Sequence, residues 1–289
     1  MRVRPVDLGD VSLEVADVGA GGRPVLLVHG FTADREEVAE VMEALAGHGW
    51  HAVAPDLRGH GRSDHPTDAG AYSFEIMAAD VVALADALGF DRFALVGHSM
   101  GGGIAQFVAL DHPERLTGLV LASTFHGPVR GISMELVELG RWVVQSSGMA
   151  GLAQALAARR ADDPESVAAV ERLQEARPGY VDQTRQRLES TSPDMWMAMA
   201  PLFVEQEDRL ERLRGLDVPT AVIVGELDAT MLDDCRRLAA AIPGAELTVV
   251  PGAGHVPQLE QPQAWEKALL GFLERLQTPD PPVRSPDDR

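Results

Sequence analysis

The sequence has one cysteine, few basic side chains and no long apolar segment. The single cysteine, Cys235, excludes an intrachain disulfide and the zinc sites that need several cysteines. Only 25 basic residues stand against 44 acidic ones, and the formal net charge of −19 repels nucleic acid and anionic lipid headgroups. No stretch reaches the roughly 18 apolar residues of a membrane span, and no apolar export signal follows the first residues. We therefore expect a cytoplasmic protein that binds neither nucleic acid nor membranes.

The pattern of the chain predicts an α/β fold. Its 289 residues, 45% of them hydrophobic and 24% charged, are typical of a globular protein with a sizeable core. Short apolar runs alternate with segments of helical period, as in βα units around a mostly parallel sheet flanked by helices. The predicted strands are Ser12–Ala16, Pro24–Val28, His51–Ala54, Arg92–Val96, Thr117–Ala122, Thr220–Val224 and Glu246–Val250. The predicted helices are Asp34–Ala46, Ser73–Leu88, Met100–Leu110, Asp233–Ala241 and Pro262–Leu276.

The alternation stops between Phe125 and about Leu216, where Ala, Leu, Met, Arg and Glu dominate. This stretch predicts an inserted helical cap, or lid, over residues 127–200, while 1–126 and 201–277 form the core domain. Leu202–Arg214 is interpreted as a crossover helix that returns to the sheet. The end of the chain, 278–289, is rich in proline and poor in apolar residues, which predicts a disordered tail.

The strongest functional signal is the motif Gly97-His98-Ser99-Met100-Gly101, which lies between an apolar run and a helical segment. Its glycines allow a sharp turn from strand to helix, so that Ser99 is presented above the sheet as a nucleophile. The amide of Met100 lies at the helix N-terminus, where unpaired N–H groups favour developing negative charge. The alternative is a tight glycine turn in which the serine has no chemical role.

A serine nucleophile needs a base, and the base needs an orienting acid. Asp228 follows the run TAVIVG and His255 follows the run LTVVPG, so both emerge at the sheet edge that bears Ser99. The order Ser, Asp, His is that of an α/β hydrolase triad. Alternatives remain: His255 as a solvated loop residue, and surface carboxylates in place of Asp228. These neighbouring carboxylates are Glu226, Asp233 and Asp234.

Together these motifs resemble those of lid-bearing serine hydrolases with the α/β-hydrolase fold. The resemblance runs from about Ser12 to Leu276 and is weakest across the insertion. It implies that the amide of Phe31 joins that of Met100 in binding the oxyanion. Besides the serine motif, it rests on Val28-His29-Gly30-Phe31, Asp56-Leu57-Arg58-Gly59-His60-Gly61-Arg62-Ser63, Gly225-Glu226-Leu227-Asp228 and GAGHVPQLEQP.

Other polar and apolar residues have less specific interpretations. His29 and His98 flank the expected site and, by resemblance, support the oxyanion loop and the serine turn rather than exchange protons; they are also candidate pocket residues. The polar loop from Asp56 to Ser63 is interpreted as a structural turn, and no metal site is predicted. Aromatic and Met side chains of the insertion form the cap core or line an acyl pocket. The aromatic pocket candidates are Trp142 and Trp196 of the insertion and Phe125, which precedes it.

The residues and the resemblance predict a serine hydrolase that cleaves a small-molecule carboxylic ester or related acyl substrate without a cofactor. The same triad on this fold also serves lactonases, thioesterases, carbon–carbon bond hydrolases and cofactor-free haloperoxidases, so the fold does not choose among them. By resemblance, a serine rather than an aspartate nucleophile argues against haloalkane dehalogenases and epoxide hydrolases. A hydrolase-like receptor for a small ligand is the alternative from another class.

Overall fold

The structure is a computed structural model that describes residues 1–162 and 164–276; the predicted tail at 278–289 lies outside them. In this part of the chain, the sheet has the spatial order β1-β2-β4-β3-β5-β6-β7-β8. The β1–β2 and β2–β4 pairs are antiparallel and the remaining pairs are parallel. The strands are β1 (Arg2–Asp7), β2 (Ser12–Val18), β3 (Arg23–Val28), β4 (Trp50–Pro55), β5 (Phe93–His98), β6 (Leu116–Ala122), β7 (Thr220–Gly225) and β8 (Glu246–Val250).

Helices cover both faces of this sheet, as the alternation of apolar strands and helical segments predicts. Apolar residues of α2, α3 and α9 pack on one face, and those of α1 and α11 pack on the other. The helices are α1 (Ala39–Gly47), α2 (Phe74–Ala87), α3 (Met100–Asp111), α4 (Met134–Ala161), α5 (Pro164–Ala176), α6 (Tyr180–Ser190), α7 (Pro193–Glu205), α8 (Leu210–Leu213), α9 (Leu232–Ala241), α10 (Pro257–Glu260) and α11 (Pro262–Arg275). No helix in these described ranges is long and apolar enough to cross a bilayer.

The predicted strands are present with ends shifted by at most two residues, and β8 matches its prediction. The sequence interpretation missed β1, because only Val6 of this edge strand is buried and its other residues show no apolar alternation. Its backbone instead pairs along its whole length with β2. The formation of an edge strand of this kind depends more on pairing with the neighbouring strand than on the β propensity of its own side chains.

The predicted helix Asp34–Ala46 is wrong in its first turn. Residues Arg35–Glu37 form a separate 3₁₀ turn capped by Asp34, and α1 begins only at Ala39. The turn is fixed from outside, since the backbone N–H of Arg35 donates to Oδ1 of Asp56 across 2.9 Å. This tertiary contact aims Glu37 inward, where its side chain is buried.

The predicted helix Leu202–Arg214 is also wrong, because α7 ends at Glu205 and α8 is a separate short helix. The chain leaves helical geometry to contact the start of the insertion: the N–H of Arg209 donates to the carbonyl of His126 across 2.8 Å. Asp208, two residues before α8, accepts the N–H of Leu210 across 2.8 Å. The predicted cap boundary at residue 200 thus falls inside α7.

Helices α4 to α7 fill the insertion, and α4, α6 and α7 share an apolar cluster separate from the two clusters on the sheet. α4 bends at Gly148, whose φ of 66° is outside the helical range. Trp196 of α7 packs against Gly140 of α4, where a Cβ would collide with the indole ring. Gly140 therefore sets the close approach of these two helices.

Candidate active site

Ser99 occupies a strained turn between β5 and α3. Its φ of 52° lies in the left-handed region that a residue with a side chain seldom adopts. A Cβ on Gly97 would collide with the carbonyl of Gly101, and a Cβ on Gly101 would collide with the carbonyl of Val28. The turn is held by the N–H of Ser99, which donates to the carbonyl of Ala122 across 2.9 Å. Both glycines of the motif are thus required by close packing.

Ser99, His255 and Asp228 form a continuous chain of hydrogen bonds. The Oγ of Ser99 lies 3.1 Å from Nε2 of His255, and Nδ1 of His255 lies 2.9 Å from Oδ2 of Asp228. An ionised carboxylate only accepts, so Nδ1 carries the ring proton and Nε2 is free to accept the hydroxyl proton. This is the tautomer that a general base requires.

The environment of Asp228 favours its ionised form. Burial by itself raises the pKa of this carboxyl, but His255 opposes that effect through its charge and its hydrogen bond. The N–H of Met231 also donates to Oδ1 across 3.2 Å. The net result is a pKa below the ordinary value of 3.8, so Asp228 is an anion at neutral pH.

The alternative carboxylates have other partners. Glu226 accepts the N–H of Gly252 across 3.0 Å at the surface. Asp233 and Asp234 both pair with Arg130, at 3.5 and 2.5 Å. Among the carboxylates weighed from the sequence, the structure brings Asp228 alone to His255.

The two backbone amides that the resemblance assigns to an oxyanion are those of Phe31 and Met100. The loop that follows β3 comes so close that a Cβ on Gly30 would lie 3.3 Å from the Cβ of Ser99. The next residue in this loop is Phe31, and Met100 begins α3 directly after Ser99. Across the described ranges, neither amide donates to another protein atom. Free N–H groups at this position suit an oxyanion.

His29 and His98 are held by protein partners rather than facing open space. Nδ1 of His29 donates to the carbonyl of Gly30 across 2.8 Å, and its Nε2 accepts the N–H of Leu57 across 3.0 Å. Nε2 of His98 donates to the carbonyl of His255 across 2.8 Å. These contacts leave none of these three nitrogens for a substrate, and the supporting role of both rings stays a prediction.

The aromatic pocket candidates are not gathered around one cavity. Phe125 is fully buried in the main core, and its ring packs against Phe74 and Phe203. Trp196 belongs to the cap core. Trp142 has a side chain that is 63% exposed, and it does not line the apolar cavity within the cap. α4 buries Val137, Gly140 and Val144, and two residues beyond Gly140 the helix has turned Trp142 to the opposite side.

An apolar cavity of about 340 Å³ lies instead within the cap, between the second half of α4, α5 and α6. Thr32, next to Phe31 in the loop after β3, is at its edge. Its apolar lining includes Leu156, Val170 and Leu188, which the sequence interpretation missed because it searched for Trp and Met. The cap segments do have aliphatic residues at helical spacing. That spacing is the pattern from which these lining residues could have been predicted.

The polar loop after β4 is a structural turn, as predicted. Asp56 is fully buried and accepts the backbone N–H groups of Arg35 and Arg62, each across 2.9 Å. Arg58 is buried against Asp80. Over residues 1–162 and 164–276, no group of three or more His, Cys, Asp or Glu side chains is arranged to hold a metal ion.

Glu37 and Gln258 were not predicted as site residues, yet they lie directly behind the site. Both are buried; Glu37 contacts His98, the residue before Ser99, and Gln258 donates to Glu37 across 2.7 Å. Glu37 lies in the predicted helix Asp34–Ala46, where a Glu is usually solvated, and Gln258 lies in the motif GAGHVPQLEQP but was assigned no role of its own. No local pattern distinguishes them, because their partners are distant in the chain.

Comparisons with known proteins agree with this architecture. A protein-family model described as alpha/beta hydrolase fold matches residues 23–262. The chain is 27% identical to a putative 2-succinyl-6-hydroxy-2,4-cyclohexadiene-1-carboxylate synthase of Bacillus subtilis, over 91% of this chain and 95% of that protein. It is 26% identical to 3-oxoadipate enol-lactonase 2 of Acinetobacter baylyi, over 92% of this chain and 94% of that protein.

Among solved structures, a thermophilic esterase from Thermogutta terrifontis superposes with a TM-score of 0.80 and is 31% identical, covering 96% of this chain and 100% of that one. The fold predicted from the sequence is confirmed, and hydrolases recur among these relatives. The family model covers most of the chain, including Ser99, Asp228 and His255. The chain therefore belongs to the alpha/beta hydrolase fold family.

Proposed function

We propose that this protein is a serine hydrolase that cleaves a small carboxylic ester or lactone through an acyl-enzyme. The observation that carries the proposal is the chain of hydrogen bonds from Ser99 through His255 to Asp228, which begins at a strained turn. In this proposal Ser99 is the nucleophile, His255 the general base and Asp228 its orienting acid.

In the acylation step, Oγ of Ser99 attacks the carbonyl carbon while its proton passes to Nε2 of His255. The negative charge that develops on the carbonyl oxygen is stabilised by the amides of Phe31 and Met100. Asp228 stabilises the imidazolium through Nδ1. The intermediate collapses when the carbon–oxygen bond of the ester breaks, and the proton on Nε2 passes to the departing alkoxide, which leaves as the alcohol.

In the deacylation step, water takes the place of the alcohol. His255 accepts a proton from water as the water oxygen attacks the acyl carbon, and the same amides bind the second oxyanion. The proton then returns to Oγ of Ser99 as the acyl bond breaks and the carboxylic acid is released. His255 is 43% exposed on its side chain, which gives water a route to this step.

The substrate class is drawn from the site and from the relatives. One relative is an enol-lactonase and a solved neighbour is an esterase. A serine at the strained turn forms an acyl ester with either substrate and releases it by hydrolysis. A lactone yields a single hydroxy acid, whereas an open ester yields an alcohol and an acid, so the products distinguish the two.

We further propose that the cap cavity holds the acyl group. The cavity of about 340 Å³ is lined mainly by aliphatic side chains, and it borders Thr32 beside the Phe31 amide. Ser99 and His255 do not line this cavity, so the proposal requires an acyl chain whose carbonyl oxygen lies on the Phe31 amide to extend past Thr32 into it. The volume suits small to medium acyl groups rather than long-chain triglycerides.

A fluorophosphonate probe and a substrate panel test the proposal. Peptide mass spectrometry should find the probe on Ser99 in the wild type and no label on this peptide in Ser99→Ala. A panel of p-nitrophenyl esters, lactones, thioesters and a diketone should show repeated turnover of esters or lactones. Label on another serine would refute the nucleophile, and release of at most one nitrophenol per chain would indicate a receptor.

A further inference from the structure

Glu37 is a carboxylate enclosed behind the candidate site. It ends the 3₁₀ turn before α1, and its side chain is only 4% exposed. Its Oε1 contacts Nδ1 of His98 and accepts a hydrogen bond from Nε2 of Gln258 across 2.7 Å. Its Oε2 accepts the N–H of Gly30 across 3.2 Å. One side chain thus joins the loop after β3, the end of β5 and α10.

His98 extends this connection to the proposed base. Its Nε2 lies 2.8 Å from the carbonyl oxygen of His255, and a carbonyl only accepts, so Nε2 carries a proton. Its Nδ1 faces the Glu37 carboxylate, and two lone pairs would repel one another there. A proton therefore lies between Nδ1 and Oε1. The two residues share it as a buried pair.

The charges of the pair support one another. Burial, the largest single cause, by itself raises the pKa of Glu37 and lowers that of His98, but their mutual attraction together with smaller contributions from neighbouring groups outweighs burial in both. The pKa of Glu37 falls to about 2, and that of His98 rises above its ordinary value of 6.5. Both shifts favour the form of the pair in which Glu37 is a carboxylate and His98 an imidazolium, and this form has no net charge.

Other titratable groups surround the pair. His29 also lowers the pKa of Glu37, and Asp228 also raises that of His98. The ring centroids of His98 and His255 are 5.1 Å apart. Glu37 contributes to raising the pKa of Tyr180 on α6, after burial as the larger cause. Because the charges of Glu37 and His98 cancel, the pair acts on His255 chiefly through geometry.

The geometry points to Glu37 as a positioning residue. Its contacts with Gly30, His98 and Gln258 hold two parts of the site in place around Ser99: the loop after β3, which carries the Phe31 amide, and the backbone of His255. This inference rests on the proposed function. It gives Glu37 no contact with substrate. Its effect is transmitted through the residues it touches, and errors of about 1 Å in such an arrangement cost on the order of 10²-fold in rate.

Glu37→Gln tests the inference with little change of shape. The new amide has an N–H₂ group that can donate to Nδ1 of His98, so Nε2 keeps its proton for the His255 carbonyl. Oε1 of Gln258 has no hydrogen-bond partner within the described residues, and rotation of that amide lets Oε1 accept from the new side chain. The variant is therefore expected to fold, with a network of weaker, neutral hydrogen bonds.

We expect Glu37→Gln to lower the rate of fluorophosphonate labelling, and kcat per titrated active site, by about 10-fold to 100-fold. KM should stay within about threefold, because Glu37 does not touch substrate. Measurements well below Tm exclude unfolding as the cause. The matched control is Glu36→Gln, an adjacent carboxylate whose side chain is 48% exposed; its labelling rate should stay within about twofold of wild type.

A double-mutant cycle with His98→Gln sharpens the test. If the two residues act through one shared contact, the double variant should label little more slowly than the slower single variant. Additive effects would refute a joint role. A folded Glu37→Gln protein that labels at the wild-type rate would overturn the inference while leaving the proposed function intact, whereas absence of Ser99 label in the wild type would overturn the proposed function and this inference together.

Discussion

The sheet core and the cap constrain the proposed chemistry in different ways. Around Ser99 the backbone has little freedom, because a Cβ at Gly97 or Gly101 would collide with neighbouring backbone atoms. The hydrogen bonds to His255 and on to Asp228 likewise hold the serine side chain. The cap shares a smaller apolar cluster and leaves a cavity of about 340 Å³ between its helices. The reacting atoms therefore depend on a few exact positions, whereas acyl selection depends on a volume that several side chains share.

This comparison predicts near-complete loss of activity for changes in the core. Ser99→Ala should lower kcat by about 10⁴-fold to 10⁶-fold with the fold intact, because it removes the covalent route. Ester turnover and the circular dichroism spectrum would check this prediction. Near-normal turnover in a folded variant would show that the site lies elsewhere.

Asp228→Asn should lower kcat by about 10³-fold to 10⁴-fold, since a neutral amide favours the wrong tautomer of His255 and cannot stabilise its cation. The matched control is Asp233→Asn, whose carboxylate is 60% exposed and pairs with surface arginines. Steady-state kinetics on one ester compares the two variants. Equal losses in both would refute the assignment of the acid.

The buried pair of Glu37 and His98 predicts that the difference in stability between the wild type and Glu37→Gln depends on pH. The lowered pKa of Glu37 gives stability that is present above the ordinary value of 4.5 and lost as pH falls toward about 2. The raised pKa of His98 gives stability that is full below 6.5 and lost as pH rises through the folded-state value. The wild type should thus exceed Glu37→Gln in Tm most between these ordinary values.

Thermal scans from pH 3 to 9 would measure this difference. A charged buried contact is worth about 1.5 to 3 kcal/mol, which is several degrees in Tm for a chain of this size. A gap that does not vary with pH would contradict the ion pair. Glu36→Gln again provides the control.

The smallest expected effects lie in the cap. Leu156→Trp fills part of the cavity and should shift the preferred acyl length to shorter chains, by about 1 to 3 kcal/mol in relative kcat/KM. Labelling by a small phosphonate should change little, because Ser99 is untouched. Trp142→Ala, at a 63% exposed position, should leave the profile unchanged. An acyl series from acetate to palmitate tests both, and an optimum at palmitate in the wild type would contradict the pocket.

The parts of the molecule that were predictable from sequence are those with local signals. Apolar runs bounded by glycine located the parallel strands, since such strands are buried on both faces. The glycines beside Ser99 marked the strained turn because no larger residue fits there. Ser99, Asp228 and His255 each follow an apolar run, which predicted that they lie at one edge of the sheet. The structure brings their side chains together there.

Other features depended on contacts that no local pattern encodes. Glu37 looked like a surface residue of a helix, but Asp56 fixes the preceding turn and aims it inward. Its partner Gln258 is 221 residues away. Trp142 looked like a pocket residue, but the packing of α4 on α7 chose which side of the helix is buried.

The sequence by itself therefore determined strands β2 to β8, the serine turn and the identity of the candidate triad, because period, glycine sterics and strand ends are properties of neighbouring residues. Only the tertiary structure decided how the site is supported and where the cap leaves space. Burial of a carboxylate such as Glu37 is tolerated only when partners from several segments meet around it, and the cavity exists only because separate helices fail to fill the volume between them.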